Sequence, residues 1–261
     1  MKKHVRQQEP IIDLESFNEV SLWQMLPSGR QGMGQALLKT HVDAVLNGRA
    51  TLHSMLITGP EGLRTTAGAF VRALGIDNYN QTDASLLQTV YDLHNFFCPE
   101  QYEAYIITNL ERLVPALRAH LYDIIKKRQL KLYNYGTQTY DIYEIPGLVV
   151  MTSKDRAKVA WAILDDIQHT VELEGYTSGQ LELIILQRLK YASVNYENEN
   201  VLKDIVRHGN NLLNNCIRFM TSCLAVMQAE GRCILLQRDV NKAVRLNRMP
   251  VDQDNDADIP F

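Results

Sequence analysis

Cysteine is scarce in this chain: four among 261 residues, Cys98, Cys216, Cys223 and Cys233, with no C-x-x-C spacing and no paired histidines close by. That argues against a zinc site or a disulfide framework, so no metal is expected and the thiols are read as reduced and mostly buried, as in a cytoplasm. No stretch approaches the roughly 18 apolar residues of a membrane span. The opening MKKHVRQQEPIID has no apolar segment behind its charges, so neither a membrane partner nor a secretory signal is expected. With 14 Gly and 8 Pro, the chain has too little of either for a collagen-like or low-complexity sequence. An excess of one charge is missing as well. The formal net charge is −3, which speaks against a surface coated in cations for duplex DNA.

What remains is an ordinary globular composition, 46% hydrophobic and 22% charged, long enough for one large domain or two smaller ones. The charge is unevenly placed. All 27 Lys and Arg lie in residues 1–251 with 26 of the 30 acidic residues, so that body carries +1, while the last ten residues, DQDNDADIPF, carry −4.

Three apolar runs with β character, Leu52 to Thr58, Ala104 to Thr108 and Leu148 to Met151, read as buried strands. Segments with helical spacing, such as Gly34 to Leu46 and Thr66 to Leu74, lie between them. Strands alternating with helices imply a parallel sheet covered on both faces. From Thr177 to Leu246 the pattern is helical only, with Leu181, Ile184, Ile185 and Leu189, then Val201, Leu202, Ile205 and Val206, then Leu213, Ile217, Met220, Leu224 and Met227. Thr177 and Gln180 form a capping-box arrangement and Asp239 is read as the N-cap of the last helix. The expected architecture is an α/β domain over 1–170, a small all-α domain over 171–248 and a disordered acidic tail over 249–261.

After the first strand comes Gly59-Pro60-Glu61-Gly62-Leu63-Arg64-Thr65-Thr66. Strand, glycine-containing turn, cation, threonine and helix is the layout in which backbone N–H groups cradle phosphate. Against G-x-x-x-x-G-K-[ST], the loop is one residue short and its lysine is an arginine, so the number of inward amides and the shape of the cation both change.

From this point the chain resembles the RuvB family of AAA+ ATPases, whose loop reads G-P-P-G-L-G-K-T-T. Tyr105-Ile-Ile-Thr-Asn-Leu-Glu-Arg-Leu-Val-Pro115 resembles that family's Walker B segment F-I-D-E-I-H-R-L-S-P, with Arg112, Leu113 and Pro115 matching and the two acidic residues falling on Thr108 and Asn109. Leu130 to Ile145 resembles the family's inserted β-hairpin, and Leu148 to Ser153 its sensor-1 strand, with Thr152 at the polar position. The resemblance covers about residues 15–247 and implies an AAA+ parallel-sheet core with a helical lid. It also implies that the Walker A lysine falls on Arg64, the trans arginines within Ala162 to Ile167, and the lid arginine on Leu212.

Hydrolysis in this fold needs Mg²⁺, Lys and Arg around the γ-phosphate and a carboxylate that orients water. Thr and Asn supply neither the base nor the charge that holds the metal. No catalytic residue and no cofactor is therefore expected: a pseudo-ATPase, with weak nucleotide binding left open at the degenerate site of Gly59, Gly62, Arg64, Thr65, Thr108, Asn109 and Thr152.

The stretch Asp256-Ala-Asp258-Ile259-Pro260-Phe261 resembles the end of bacterial single-stranded DNA-binding protein (SSB), D-D-D-I-P-F. Pro260 restrains the backbone, Ile259 and Phe261 offer apolar side chains to a pocket, and the α-carboxylate and aspartates suit a basic rim. The resemblance implies docking to the replication and repair proteins that bind SSB tails. In the hairpin region, Lys126, Lys127, Arg128 and Lys131 precede Tyr133, Tyr135, Tyr140 and Tyr143, cations and rings that suit single-stranded DNA or a protein interface.

The functional expectation is a non-catalytic, RuvB-like scaffold or adaptor of DNA replication, recombination or repair. Alternatives are a single-stranded DNA-binding protein of phage or plasmid type on an AAA+ scaffold, and an inactive subunit of a clamp-loader or helicase-loader ring. Expected partners are single-stranded DNA, tail-binding repair proteins, and AAA+ proteins or further copies of this chain. The expected location is a bacterial cytoplasm, or that of a bacterial host.

Overall fold

The computed structural model describes residues 33–97, 102–159 and 161–248, so the tail residues Asp256, Asp258, Ile259, Pro260 and Phe261 lie outside the described residues. The chain divides into two compact units between Gly175 and Tyr176.

The first unit is built on a five-stranded parallel sheet. Its strands are β1 (Ser54–Thr58), β2 (Tyr79–Asp83), β3 (Ala104–Thr108), β6 (Leu148–Ser153) and β7 (His169–Glu172), in the order β2-β3-β6-β1-β7. A hairpin, β4 (Gln129–Asn134) and β5 (Thr139–Glu144), is inserted before β6. The three inner strands are the three apolar runs, buried at every residue, as a sheet covered on both faces requires. Alternate residues go to opposite faces. Met55, Ile57, Ile106 and Val150 pack with Leu38, Val42 and Phe70 of α1 (Met33–Leu46) and α2 (Leu63–Ala73). Leu56, Ile107, Val149 and Met151 pack with residues of α3 (Val90–Phe97), α4 (Arg118–Lys127) and α5 (Trp161–Asp166).

Two strands are missing from the sequence reading, and both are edges. An edge strand has one hydrogen-bonded neighbour and needs no continuous apolar run. β2 reads YNQTD and is half-buried throughout; it is tied down by Arg72 Nη1 donating to the Tyr79 hydroxyl at 2.8 Å and Asn80 Nδ2 donating to Phe96 O at 3.0 Å. β7 pairs with β1 from Met55↔His169 to Thr58↔Glu172, which carries the first unit past residue 170 to Gly175.

The second unit contains α6 (Ser178–Tyr191), α7 (Glu199–His208), α8 (Leu213–Ala229) and α9 (Gln237–Arg248). The Thr177–Gln180 capping box forms in both directions. Two corrections apply. A two-residue parallel bridge joins β8 (Asn195–Tyr196) and β9 (Ile234–Leu235), too short to leave a sequence signal. Asp239 is the third residue of α9 rather than its N-cap, and its carboxylate reaches back to accept the Leu236 N–H at 2.8 Å. That carboxylate, wholly buried, also takes Arg232 Nη1 at 2.9 Å and a second bond from Arg232 Nη2.

Candidate functional site

In an open parallel sheet ligands sit at the carboxyl ends of the strands, where the chain leaves for opposite faces. Here those ends bring together the β1–α2 loop, Asp83, Thr108 and Asn109, and Thr152 and Ser153. The loop enters α2 through Gly62, a left-handed N-cap (φ 71°) that contributes no side-chain bond. Its first glycine is required for space: a Cβ on Gly59 would stand 2.7 Å from the Leu173 carbonyl oxygen. Arg64 is exposed and Thr65 half-buried. Two hydroxyls around the loop, Thr58 Oγ1 and Thr66 Oγ1, are buried without a hydrogen-bond partner among the described residues. A helix start with no side-chain cap fits a phosphate through its backbone amides.

At the two positions where the resemblance puts carboxylates, the side chains are neutral and already hydrogen-bonded. Thr108 is buried, with its hydroxyl donating to Thr82 O at 3.1 Å. Asn109, in the left-handed region at φ 54°, donates its amide to the Asp83 carboxylate. Both residues therefore have their side chains engaged by β2, beside the Asp83↔Thr108 pair of the sheet register. Thr152, next to Ile57 in that register, is buried in β6.

Three polar residues at these strand ends were not foreseen from the sequence. Asp83 accepts from Ser85 N at 2.9 Å and Ser85 Oγ at 2.7 Å. Burial pushes its carboxyl up, but the Ser85 hydroxyl and N–H, the Asn109 amide and the Arg112 charge together hold it below the ordinary value. Ser153 Oγ donates to Glu111 Oε2 at 2.8 Å and is also within 2.9 Å of Asp155 O. Asp83 ends a polar stretch that carries no strand signal, and Glu111 lies two residues beyond the matched acidic positions. Among the described residues, no group of three or more His, Cys, Asp or Glu could hold a metal ion.

The positions to which the resemblance assigns the family's arginines carry no cation. Leu212 is an exposed, extended residue before α8, and Ala162 to Ile167 fall in and just after α5.

The hairpin separates the predicted cations from the predicted rings. Lys126 pairs with Asp166 at 3.3 Å and donates to the Tyr122 hydroxyl, and Lys127 pairs with Asp123 at 2.7 Å. Arg128 ends α4 in the left-handed region, its guanidinium donating to the carbonyls of His53 (3.1 Å), Gly147 (2.7 Å) and Pro146. Of the three, Arg128 braces the hairpin's root, while Lys126 and Lys127 stand half-exposed in surface pairs at the end of α4. Lys131 opposes Ile142, and Tyr133 opposes Tyr140, on one face of the ribbon. Tyr133, Tyr140 and Tyr135 in the turn are 43%, 63% and 87% exposed, with Tyr133 5.0 Å from Tyr135 and 5.2 Å from Tyr140 between ring centroids. The other face is anchored by buried Leu130 and by Tyr143 against His94 at 4.7 Å.

Cys216 and Cys223 are buried and Cys233 is exposed; burial pushes the Cys223 thiol up to about 12. Cys98 lies outside the described residues. Among the described residues, no helix is long and apolar enough to cross a membrane.

No protein-family model and no curated protein matches the chain. Solved structures do. One point mutant of Thermotoga maritima RuvB matches at TM-score 0.70 and 19% identity, over 87% of this chain and 72% of that one. A second matches at 0.67 and 19%, over 85% and 73%. The T. maritima RuvB Holliday junction branch migration motor matches at 0.66 and 18%, again over 85% and 73%. At such identities the likeness speaks for architecture, and by it the chain has the RuvB-like AAA+ fold.

Proposed function

We propose that this chain is a non-hydrolysing, RuvB-like protein of DNA replication, recombination or repair, acting as a DNA-associated scaffold or adaptor. The observation that carries the reading is the pair Thr108 and Asn109. Where the resemblance puts the metal-orienting and water-activating carboxylates, two neutral side chains stand, both hydrogen-bonded to β2. Neither side chain supplies the negative charge that anchors Mg²⁺, and neither can take a proton from water. The uncapped start of α2, with Arg64 at its first turn, still suits weak phosphate binding. The fold's neighbours include a Holliday junction motor, which favours a DNA setting for this chain too. Its SSB-like tail would supply recruitment, with Ile259, Pro260 and Phe261 inserted in an apolar pocket and Asp256 and Asp258 on a basic rim.

The test is a capture experiment comparing the full chain with one lacking Ile259-Pro260-Phe261. Replication and repair proteins should be recovered only with the full chain. Recovery of the same set by both would remove the adaptor role.

The exposed tyrosine face of the hairpin favours a second reading, a single-stranded DNA-binding protein, because stacked rings take bases without sequence preference. Within the described hairpin strands Lys131 is the one cation beside them, so the salt dependence of oligonucleotide binding should be shallow. Assembly with an active AAA+ protein or with further copies of this chain is the third reading, tested by co-purification.

A further inference from the structure

The helical unit holds a groove that neither reading uses. It has a volume of about 690 Å³ and lies between the end of α7, the outer side of α8 and the last turns of α9. The α7–α8 turn builds it. A Cβ on Gly209 would stand 2.5 Å from Cys216 Sγ, so only glycine allows the two helices to approach this closely, and Asn210 and Asn211 then turn the chain in the left-handed region. The groove's polar lining includes Arg207, His208, Asn215 and Arg218, and Ile217, Phe219 and Val244 give it apolar ground. The His208 ring lies 5.3 Å from that of Phe219. No carboxylate lines it. Asp204 pairs with Arg207 at 2.9 Å, and Arg218, exposed on α8, has no ion pair with any described residue.

We infer that this groove is the docking site of the chain's own acidic segment, Asp252 to Phe261. Val244 and Asn247, in the last turn and a half of α9, line the groove, and the described chain ends at Arg248, one residue past a lining residue. Extended chain advances at most about 3.5 Å per residue, so Asp252 reaches up to about 14 Å from Arg248 and Phe261 up to about 45 Å, far enough to run across α8. The segment carries four aspartates and no cation, the complement of a groove with two arginines and no acid. Ile259 and Phe261 match its apolar ground. Tethering settles the choice of occupant: a short linker presents the segment at an effective concentration in the millimolar range, so a modest intrinsic affinity fills the groove. Docking in this way withholds Ile259, Pro260 and Phe261 from other proteins until salt or a competing anion releases them. That consequence rests on the adaptor reading of the tail; the docking does not.

The test uses the full chain, Arg218→Ala, and a variant with Asp252, Asp254, Asp256 and Asp258 changed to Asn. A fluorescent peptide of residues 249–261 is titrated into each. The Asn variant, whose groove is free, should bind it at least about fivefold more tightly than the wild-type chain, because the apparent affinity falls with the fraction of free sites. Arg218→Ala should bind it more weakly than the Asn variant. Hydrogen exchange over 207–222 should be faster in the Asn variant than in the wild type. Equal peptide binding by wild type and Asn variant, or none, overturns the inference. So does binding of a single-stranded oligonucleotide, with the same Arg218 dependence, where the peptide does not bind. If the peptide behaves as expected but no protein is captured by the tail, the adaptor reading fails and the docking stands. Capture unchanged between wild type and Arg218→Ala, with equal peptide binding, leaves the adaptor and removes the dock.

Discussion

The Asn109 amide donates to the Asp83 carboxylate across the ends of β3 and β2, so the residue that the resemblance aligns with a water-activating carboxylate is a hydrogen-bond partner of the neighbouring strand. Asn109→Asp would set two carboxylates against each other in a partly buried site. The expected cost at pH 7 is about 1–3 kcal/mol, the penalty of an unsatisfied polar contact sharpened by like charge. One of the two carboxyls is then raised in the folded protein, so the deficit is full above that raised value and shrinks as the pH falls from it to the ordinary carboxylate range. Melting temperatures of wild type and variant between pH 7 and 4 check this.

Arg232 and Asp239 fix the start of α9. Burial pushes the Asp239 carboxyl up, but the Arg232 guanidinium, the Leu236 N–H and the Arg232 and Arg238 charges hold it below its ordinary value. A depressed carboxyl contributes stability above its unfolded pKa and loses it as the pH falls through the folded one. Asp239→Asn should therefore destabilise at pH 7 by about 1–3 kcal/mol, the cost of weakening a buried hydrogen-bonded carboxylate while Arg232 keeps Glu230 at 2.8 Å. The gap from wild type should narrow below about pH 4. Urea denaturation across that range measures it.

The basic residues at the hairpin root should separate by role. Arg128→Ala removes the donors of three backbone carbonyls and is expected to cost about 2 kcal/mol or more. Lys127→Ala breaks one exposed pair with Asp123 and should change stability by less than about 1 kcal/mol. If Arg128→Ala is as stable as Lys127→Ala and both lose oligonucleotide binding equally, the bracing role of Arg128 is wrong.

The capping box of α6 gives a local check. Thr177→Ala removes the side-chain acceptor of Gln180 N and should cost about 1 kcal/mol, whereas Thr177→Ser should be near neutral. Thermal melts of the two variants read the difference.

The parts of this fold that were legible in the sequence are those where burial is complete. Leu52 to Thr58, Ala104 to Thr108 and Leu148 to Met151 became the inner strands β1, β3 and β6, because a strand covered on both faces is apolar along most of its length. β2 and β7 escaped notice because edge strands accept Asn, Gln, Thr and His. Thr177 and Gln180 announced α6 through a local hydrogen-bond pattern, but Asp239, with the same chemistry, sits three residues further into α9 than an N-cap would. At the candidate site, the glycine turn between strand and helix marked the loop, and the family resemblance pointed to Thr108 and Asn109. It could not reveal that Asp83, 26 residues earlier, would meet Asn109, since that pairing is made only by the sheet. Nor could it separate Arg128, folded back onto carbonyls, from Tyr135, left in solvent.

The central claim is that the fold is kept and the hydrolytic chemistry is gone, and phosphate release from ATP by the purified full chain, with Mg²⁺ and with or without single-stranded and branched DNA, tests it most directly. The expected result is release indistinguishable from a protein-free blank under every condition. Sustained turnover above the blank that disappears in Arg64→Ala would contradict the account.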